Sequence, residues 1–194
     1  YSNSFHGGLI YDSAARILQD PRVQSADSRN LALIVQNDYW YPALGTGLYR
    51  PLTTLSFLFN YAILGNQGHP EGYHILNWIL HSVNVSLVYL LAWLLLGETL
   101  WAAIAAGLWG VHPVLTESVT NVVGRSDLLA GIGVLGGLLC YILATRSEGR
   151  RRWRWLALAA AAVGIGIFSK ESAIVVLPVL VLYEMAFGSS TWKD

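Results

Sequence analysis

From Tyr73 onward the chain alternates long apolar runs with short polar breaks, whereas before Gly72 its composition is mixed. Tyr73–Leu96 holds 24 residues without a formal charge, enough to cross a hydrocarbon core of about 30 Å. A second run from about Thr99 to His112 is short, and Pro113 ends or kinks it. Asp127–Thr145, Trp153–Phe168 and Ser172–Phe187 bring the predicted spans to about five, the last two near the lower length limit. Trp101, Trp109, Trp153 and Trp155 lie near span ends, where aromatic belts form. The pattern predicts an all-α, polytopic transmembrane helical part over residues 73–194. Residues 1–72 are expected to form an extramembrane region with short juxtamembrane helices.

Within that region Ser13–Leu18 and Asn30–Gln36 read as short helices, with Pro21 and Asp27-Ser28 breaking between them. Pro51 opens a third, a favoured first-turn position. In it Leu52, Leu55, Phe59 and Ile63 recur at helical spacing while Thr53, Thr54, Ser56 and Asn60 face elsewhere. At about 14 residues it is too short to span, and it fits an amphipathic helix on the membrane surface.

Composition agrees with a bilayer as solvent. Of the 194 residues 54% are hydrophobic and 12% charged, about half the charge of a soluble domain. Twelve basic and twelve acidic residues cancel, which argues against a nucleic-acid partner. One Cys and one Met exclude a disulfide scaffold and a Cys-rich metal site. The absence of an initiator Met suggests a fragment or processed product.

The placement of charge says more than its sum. Arg146, Arg150, Arg151, Arg152 and Arg154 hold five of the twelve basic residues within nine positions. The positive-inside rule puts that loop in the cytoplasm. Alternation then puts residues 1–72, the His112–Arg125 loop and the Ser169-Lys170-Glu171 turn together on the external or lumenal side.

Three polar groups fall on or near that side. His74, Asn77, His81 and Asn84 stack on one face of the first span. Interhelical hydrogen bonding accounts for the deeper pair, His81 and Asn84, and His74 at the external end is the site candidate. His112, Glu117, Asn121, Arg125 and Asp127 form the second group and Lys170-Glu171 the third. Singly each reads as solvated or snorkelling charge. With Asp12 and Arg50 on the same face, a shared site is the better reading, because ionisable groups at a membrane are costly. Such a set offers cations for a phosphate and a carboxylate as general base. No HExxH, Walker A, GxGxxG or GxSxG string is present. His, Asp and Glu could bind a divalent cation, but apart from the His74/His81 face no pair has strong ligand spacing, so no cofactor is required.

The strings Tyr11-Asp12, Asp20-Pro21-Arg22-Val23, Asp38-Tyr39-Trp40, Tyr49-Arg50-Pro51-Leu52-Thr53 and Gly72-Tyr73-His74-x-x-Asn77 occur in order. They are followed by His112-Pro113-x-x-x-Glu117, Gly124-Arg125-x-Asp127-x-Leu129 and Ser169-Lys170-Glu171. Together with Phe5-x-Gly7, and over nearly the whole chain, they resemble the membrane part of the transmembrane-and-TPR O-mannosyltransferase family and its prokaryotic relatives. The resemblance implies a GT-C-like glycosyltransferase fold, a polyprenyl- or dolichyl-phosphate sugar donor (mannose) and a protein Ser/Thr acceptor. It implies a catalytic carboxylate at Asp12, where the family carries an acidic pair and this chain has Asp12-Ser13. Arg50, Arg125 and Lys170 match donor-phosphate positions, and His74, Asn77, His81, His112, Glu117, Asp127 and Glu171 would position substrate or loops. It also implies a helix before Tyr1, and further helices and a TPR array after Asp194. The Ala/Arg/Gly-rich composition leans towards a bacterial inner membrane, with the endoplasmic reticulum membrane as the eukaryotic counterpart. The competing readings are a non-catalytic membrane scaffold for TPR repeats, or a transporter.

Overall fold

A computed structural model describes residues 7–42, 45 and 47–188, and every regular element among them is helical. Phe5 lies outside the described residues. The longer helices are α4 (Glu71–Leu96), α5 (Thr99–Gly110), α7 (Arg125–Thr145), α8 (Gly149–Ser169) and α9 (Val176–Phe187). The short α6 (Thr116–Thr120) lies between α5 and α7. By length and apolarity α4 and residues 122–145 can each cross a membrane. Residues 99–110 and 113–120 add a third span if the pair, bent by 51°, is counted as one. The bend falls at Pro113, whose ring cannot continue α5. α8 begins with four arginines in six residues and α9 is 12 residues long.

Small residues bring α7 and α8 together. A Cβ on Gly133 would run into the backbone of Gly166 and come 2.7 Å from the Ala162 carbonyl oxygen. At Gly133 the two helices therefore approach backbone to backbone, and one turn on, Gly137 leaves room for the Val163 side chain. Gly133→Ala is therefore expected to lower stability by about 1–3 kcal/mol, read as a lower unfolding midpoint in detergent. Gly164→Ala, with open space around its Cβ, should leave the midpoint unchanged or raise it.

The N-terminal region packs over one end of this bundle. α1 (Asp12–Ile17) and α2 (Ser28–Gln36) match the short helices expected there. Asp27 caps α2 by accepting from the Asn30 N–H at 2.8 Å. α3 (Pro51–Leu58) continues into a π-helical stretch at Phe59–Ile63. Ile17, Val23, Ile34, Phe57, Leu58, Tyr73 and Val122 form a core joining this region to α4 and to the turn before α7. The polar side of α3 faces protein: Thr53, Thr54 and Asn60 are buried, while Phe59 and Ile63 are exposed.

Candidate functional site

The site is framed by an aromatic segment that three buried charges hold in place. Asp20 accepts from Arg22 through both carboxylate oxygens, at 3.0 and 2.8 Å, and lies 3.4 Å from Arg16. The two guanidiniums also donate to main-chain oxygens. Arg22 reaches those of Asp38 and Tyr39 at 2.9 and 3.0 Å, and Arg16 reaches that of Tyr41 at 2.9 Å. The Arg16 guanidinium also lies 5.1 Å from both the Tyr39 and Trp40 ring centroids. Burial pushes the Tyr39 phenol up to about 12, so it stays a neutral donor throughout the physiological range.

Against this segment opens a cavity of about 410 Å³, lined by Asp12, Tyr39, Trp40, Arg50, Glu117, Asn121, Asp127 and Lys170, with Val114, Val123 and residues 124 and 126. It draws on α1, the loop before α3, the α5–α7 connection and the turn after α8, so positions up to 158 apart share one wall. The sequence assigns no site role to Trp40 or Asn121. The Asp38-Tyr39-Trp40 string just ahead of Arg50 was the available signal for the first, and the Asn121 position between Glu117 and Arg125 for the second.

Both cations in the cavity already have carboxylate partners. Arg50 makes a two-pronged contact to Glu171, at 2.6 and 2.9 Å, and Lys170 donates to Asp127 at 2.6 Å. The consecutive residues Lys170 and Glu171 thus tie the turn to α7 and to the N-terminus of α3. Thr53 adds a bond to the Ser169 carbonyl at 2.8 Å. Glu171 itself stands outside the cavity lining. Its side chain is 55% exposed and that of Asp127 43%. Pairs with such exposed partners are worth about 0–1 kcal/mol, so either carboxylate can be displaced cheaply.

The hydrogen bond from Arg50 holds the Glu171 carboxyl below its ordinary value of 4.5. A depressed folded value means the tie stabilises the protein above that pH and is lost as pH falls through the folded value. The unfolding midpoint of wild type should exceed that of Glu171→Gln at neutral pH, and the gap should close only below about pH 4.5. A gap that closed near pH 7 would show the tie to have another origin.

Asp12 also borders a second cavity, of about 610 Å³, lined by residues 7, 8 and 10–13, His74 and residues 120–122. The residue before it, Tyr11, has φ 47°, a backbone conformation unusual for a non-glycine residue. Ser13, standing where the family's second acid is expected, is buried and donates to Asn121 Oδ1 at 3.1 Å. Asn121 and Asp12 therefore form the divide between the two cavities.

Four expected site residues are placed elsewhere. Arg125 is completely buried: its Nε donates to Asn77 Oδ1 at 2.9 Å, and its Nη atoms to Asn60 Oδ1 and to the carbonyls of Ser56 and Tyr73. It is not a cavity residue, because packing α3, α4 and α7 around its guanidinium leaves no face for a phosphate. Asn77 accepts that bond and donates to the Asn121 and Val122 carbonyls. His81 bonds the Gly110 carbonyl at 2.8 Å and stacks on Trp109, at the end of α5. His112 is exposed and caps the turn at Pro113–Leu115 by accepting from the Val114 N–H. Of the α4 stripe only His74 reaches a cavity, where its Nε2 lies 3.2 Å from the Gly7 carbonyl. Asn84 donates to the Leu128 carbonyl at 2.9 Å, as interhelical bonding predicted. Among the described residues no group of three or more His, Cys, Asp or Glu is placed to hold a metal ion.

Residues 52–194 match the dolichyl-phosphate-mannose-protein mannosyltransferase family. The whole chain aligns with protein O-mannosyl-transferase Tmtc2 of Drosophila melanogaster at 37% identity over 202 positions, 21% of that protein. Tmtc1 of the same organism is 37% identical over 91% of the chain and 20% of its own length. Human TMTC3 is 35% identical over 95% of the chain and 20% of its own length. The chain thus spans about a fifth of these relatives. No solved structure matches it.

Proposed function

The chain belongs to the dolichyl-phosphate-mannose-protein mannosyltransferase family, and on that premise we propose that it carries the catalytic site of a membrane enzyme moving mannose from a polyprenyl- or dolichyl-phosphate donor to protein Ser/Thr hydroxyls on the external face. The observation that carries this reading is the position of Asp12 between two cavities, one with Arg50 and Lys170 on its wall and the other without a cation. Donor phosphate and sugar fit the first, and an acceptor segment fits the second. Asp12 takes the proton of the acceptor hydroxyl as its oxygen attacks the anomeric carbon. The bond from that carbon to the phosphate oxygen breaks, and the lipid phosphate leaves with the electron pair. Lys170 and Arg50 meet the charge that develops on it. Attack from the side opposite the leaving group inverts the anomeric centre. No divalent cation enters this sequence of steps.

Full-length protein reconstituted with polyprenyl-phosphate mannose and a Ser/Thr-rich peptide is expected to give O-linked hexose by mass spectrometry. No transfer from the lipid donor, with folded protein, would sink the reading and leave a scaffold in its place. The ion pairs supply a finer test. Lys170→Gln is expected to raise the donor KM about tenfold, the loss of one charge-assisted bond. Glu171→Gln frees Arg50 from its partner, so the donor KM should fall about two- to fivefold, the worth of one exposed ion pair. Equal KM changes of the same sign in both variants would contradict the assignment of the phosphate to this wall.

A further inference from the structure

At the opposite end of α7 and α8 lies a second polar cavity, about 750 Å³, that the transfer reaction does not use. Tyr141, Arg146, Arg152, Tyr183 and Glu184 line it, where the end of α7, the start of α8 and the end of α9 meet. α7 and α8 are each 21 residues long, so about 30 Å, one hydrocarbon thickness, separates it from the Asp12 site. A second cavity, about 650 Å³, adjoins it and shares Tyr141 and Glu184. This one is apolar, a groove along α9 made by Leu177, Leu180, Val181 and Met185, which recur at helical spacing. Val181 and Met185 are 59% and 79% exposed.

A polar chamber at a helix end opening into an apolar groove along the helix has the two-part shape of a phospholipid. The charges define the headgroup. Residues 146–154 carry five arginines against Glu148, and none of the five makes an ion pair among the described residues. Arg146 spends one donor on the Leu94 carbonyl at 3.0 Å, and its other N–H groups have no recorded bond. Arg146 and Arg152 therefore offer fork donors for a phosphodiester at the membrane surface. Glu184 works against a purely anionic headgroup. Its carboxylate accepts from the Tyr141 hydroxyl at 2.8 Å and keeps lone pairs for an ammonium. Tyr183, stacked on Phe187 at 5.4 Å, supplies an aromatic wall beside it.

We propose that the α7–α8–α9 end binds one phospholipid with a phosphoethanolamine headgroup, its phosphate between Arg146 and Arg152, its ammonium on Glu184 and an acyl chain along the α9 groove. The site is independent of the transfer reaction, and its test needs no activity. Full-length protein is stripped of lipid in detergent and titrated with phosphatidylethanolamine, phosphatidylglycerol or phosphatidylcholine, and bound lipid is read by native mass spectrometry. Wild type should hold phosphatidylethanolamine about tenfold more tightly than either other lipid, the worth of one charge-assisted contact. The double variant Arg146→Gln/Arg152→Gln should bind all three lipids about tenfold more weakly, since the phosphate is common to them. Glu184→Gln should turn the preference towards phosphatidylglycerol, a swap that misfolding cannot produce. A wild-type preference for phosphatidylglycerol would overturn the headgroup assignment. No lipid retained above the double variant would mean that other parts of the full-length chain fill the groove, and would overturn the site. Glycerophosphoethanolamine, which lacks acyl chains, or inorganic phosphate binding as tightly as intact lipid would remove the groove from it.

Discussion

Asp12→Asn in the full-length protein is expected to lower transfer from the lipid donor by about 10²–10⁴-fold while leaving donor binding within about twofold. Asn keeps the shape and one acceptor oxygen of Asp12 but cannot take a proton, and among the described residues Asp12 has no ion pair that the change would break. The two cavities it divides should therefore persist. The measurement is kcat and donor KM with polyprenyl-phosphate mannose and a Ser/Thr peptide, beside an unfolding midpoint. A large loss in kcat with unchanged KM and midpoint identifies an interaction made only in the transition state. Retained kcat would move the base elsewhere. Glu117, the other carboxylate on the cavity wall with no ion pair among the described residues, would then be tested in the same way. The same variants answer the question raised by Ser13. Its hydroxyl is committed to Asn121, so Ser13→Ala should act through that bond, with a small effect beside that of Asp12→Asn.

The helices were legible because apolar runs and their breaks are local. α4 falls within two residues of its predicted start and ends where predicted, and Pro113 marks the bend after α5. The polar groups were legible as a set, because charge is rare in this chain and its residues stand out. Asp12, Arg50, Glu117, Asp127 and Lys170 do share a cavity. What the sequence could not show is how each charge is spent. Arg50 and Arg125 look alike in their strings, Tyr49-Arg50-Pro51 and Gly124-Arg125-x-Asp127, yet one stands in a cavity and the other is sealed in the protein. The difference is set by Asn60, Asn77 and two main-chain carbonyls that come from segments 48 to 69 residues away. No spacing rule reports that convergence. The aromatic wall was missed for a related reason: Tyr39 and Trp40 become cavity lining only through Arg16 and Arg22, which hold the carbonyls of Asp38, Tyr39 and Tyr41.

Arg125 gives the second large effect, and it falls on stability. Its guanidinium has four hydrogen bonds, two to asparagine side chains and two to main-chain oxygens, and lies 5.0 Å from the Phe57 ring centroid. The bonds join α3 and its π-helical extension to α4 and α7, so one side chain ties the N-terminal region to the long helices. Arg125→Ala would leave the Asn60 and Asn77 oxygens without their donors in a space that water enters poorly. A loss of about 3–5 kcal/mol is expected, from the cavity left by a large buried side chain and from the acceptors stripped of their donor. Arg125→Lys keeps the charge but not the planar fork, so it should recover only part of that. Unfolding midpoints in detergent, with donor binding measured on the folded fraction, separate this role from phosphate recognition. A strut predicts low midpoints and normal donor affinity in whatever remains folded. A phosphate ligand predicts a normal midpoint in Arg125→Lys with weakened donor binding. With no face of Arg125 turned to either cavity, the first outcome is the one its geometry requires.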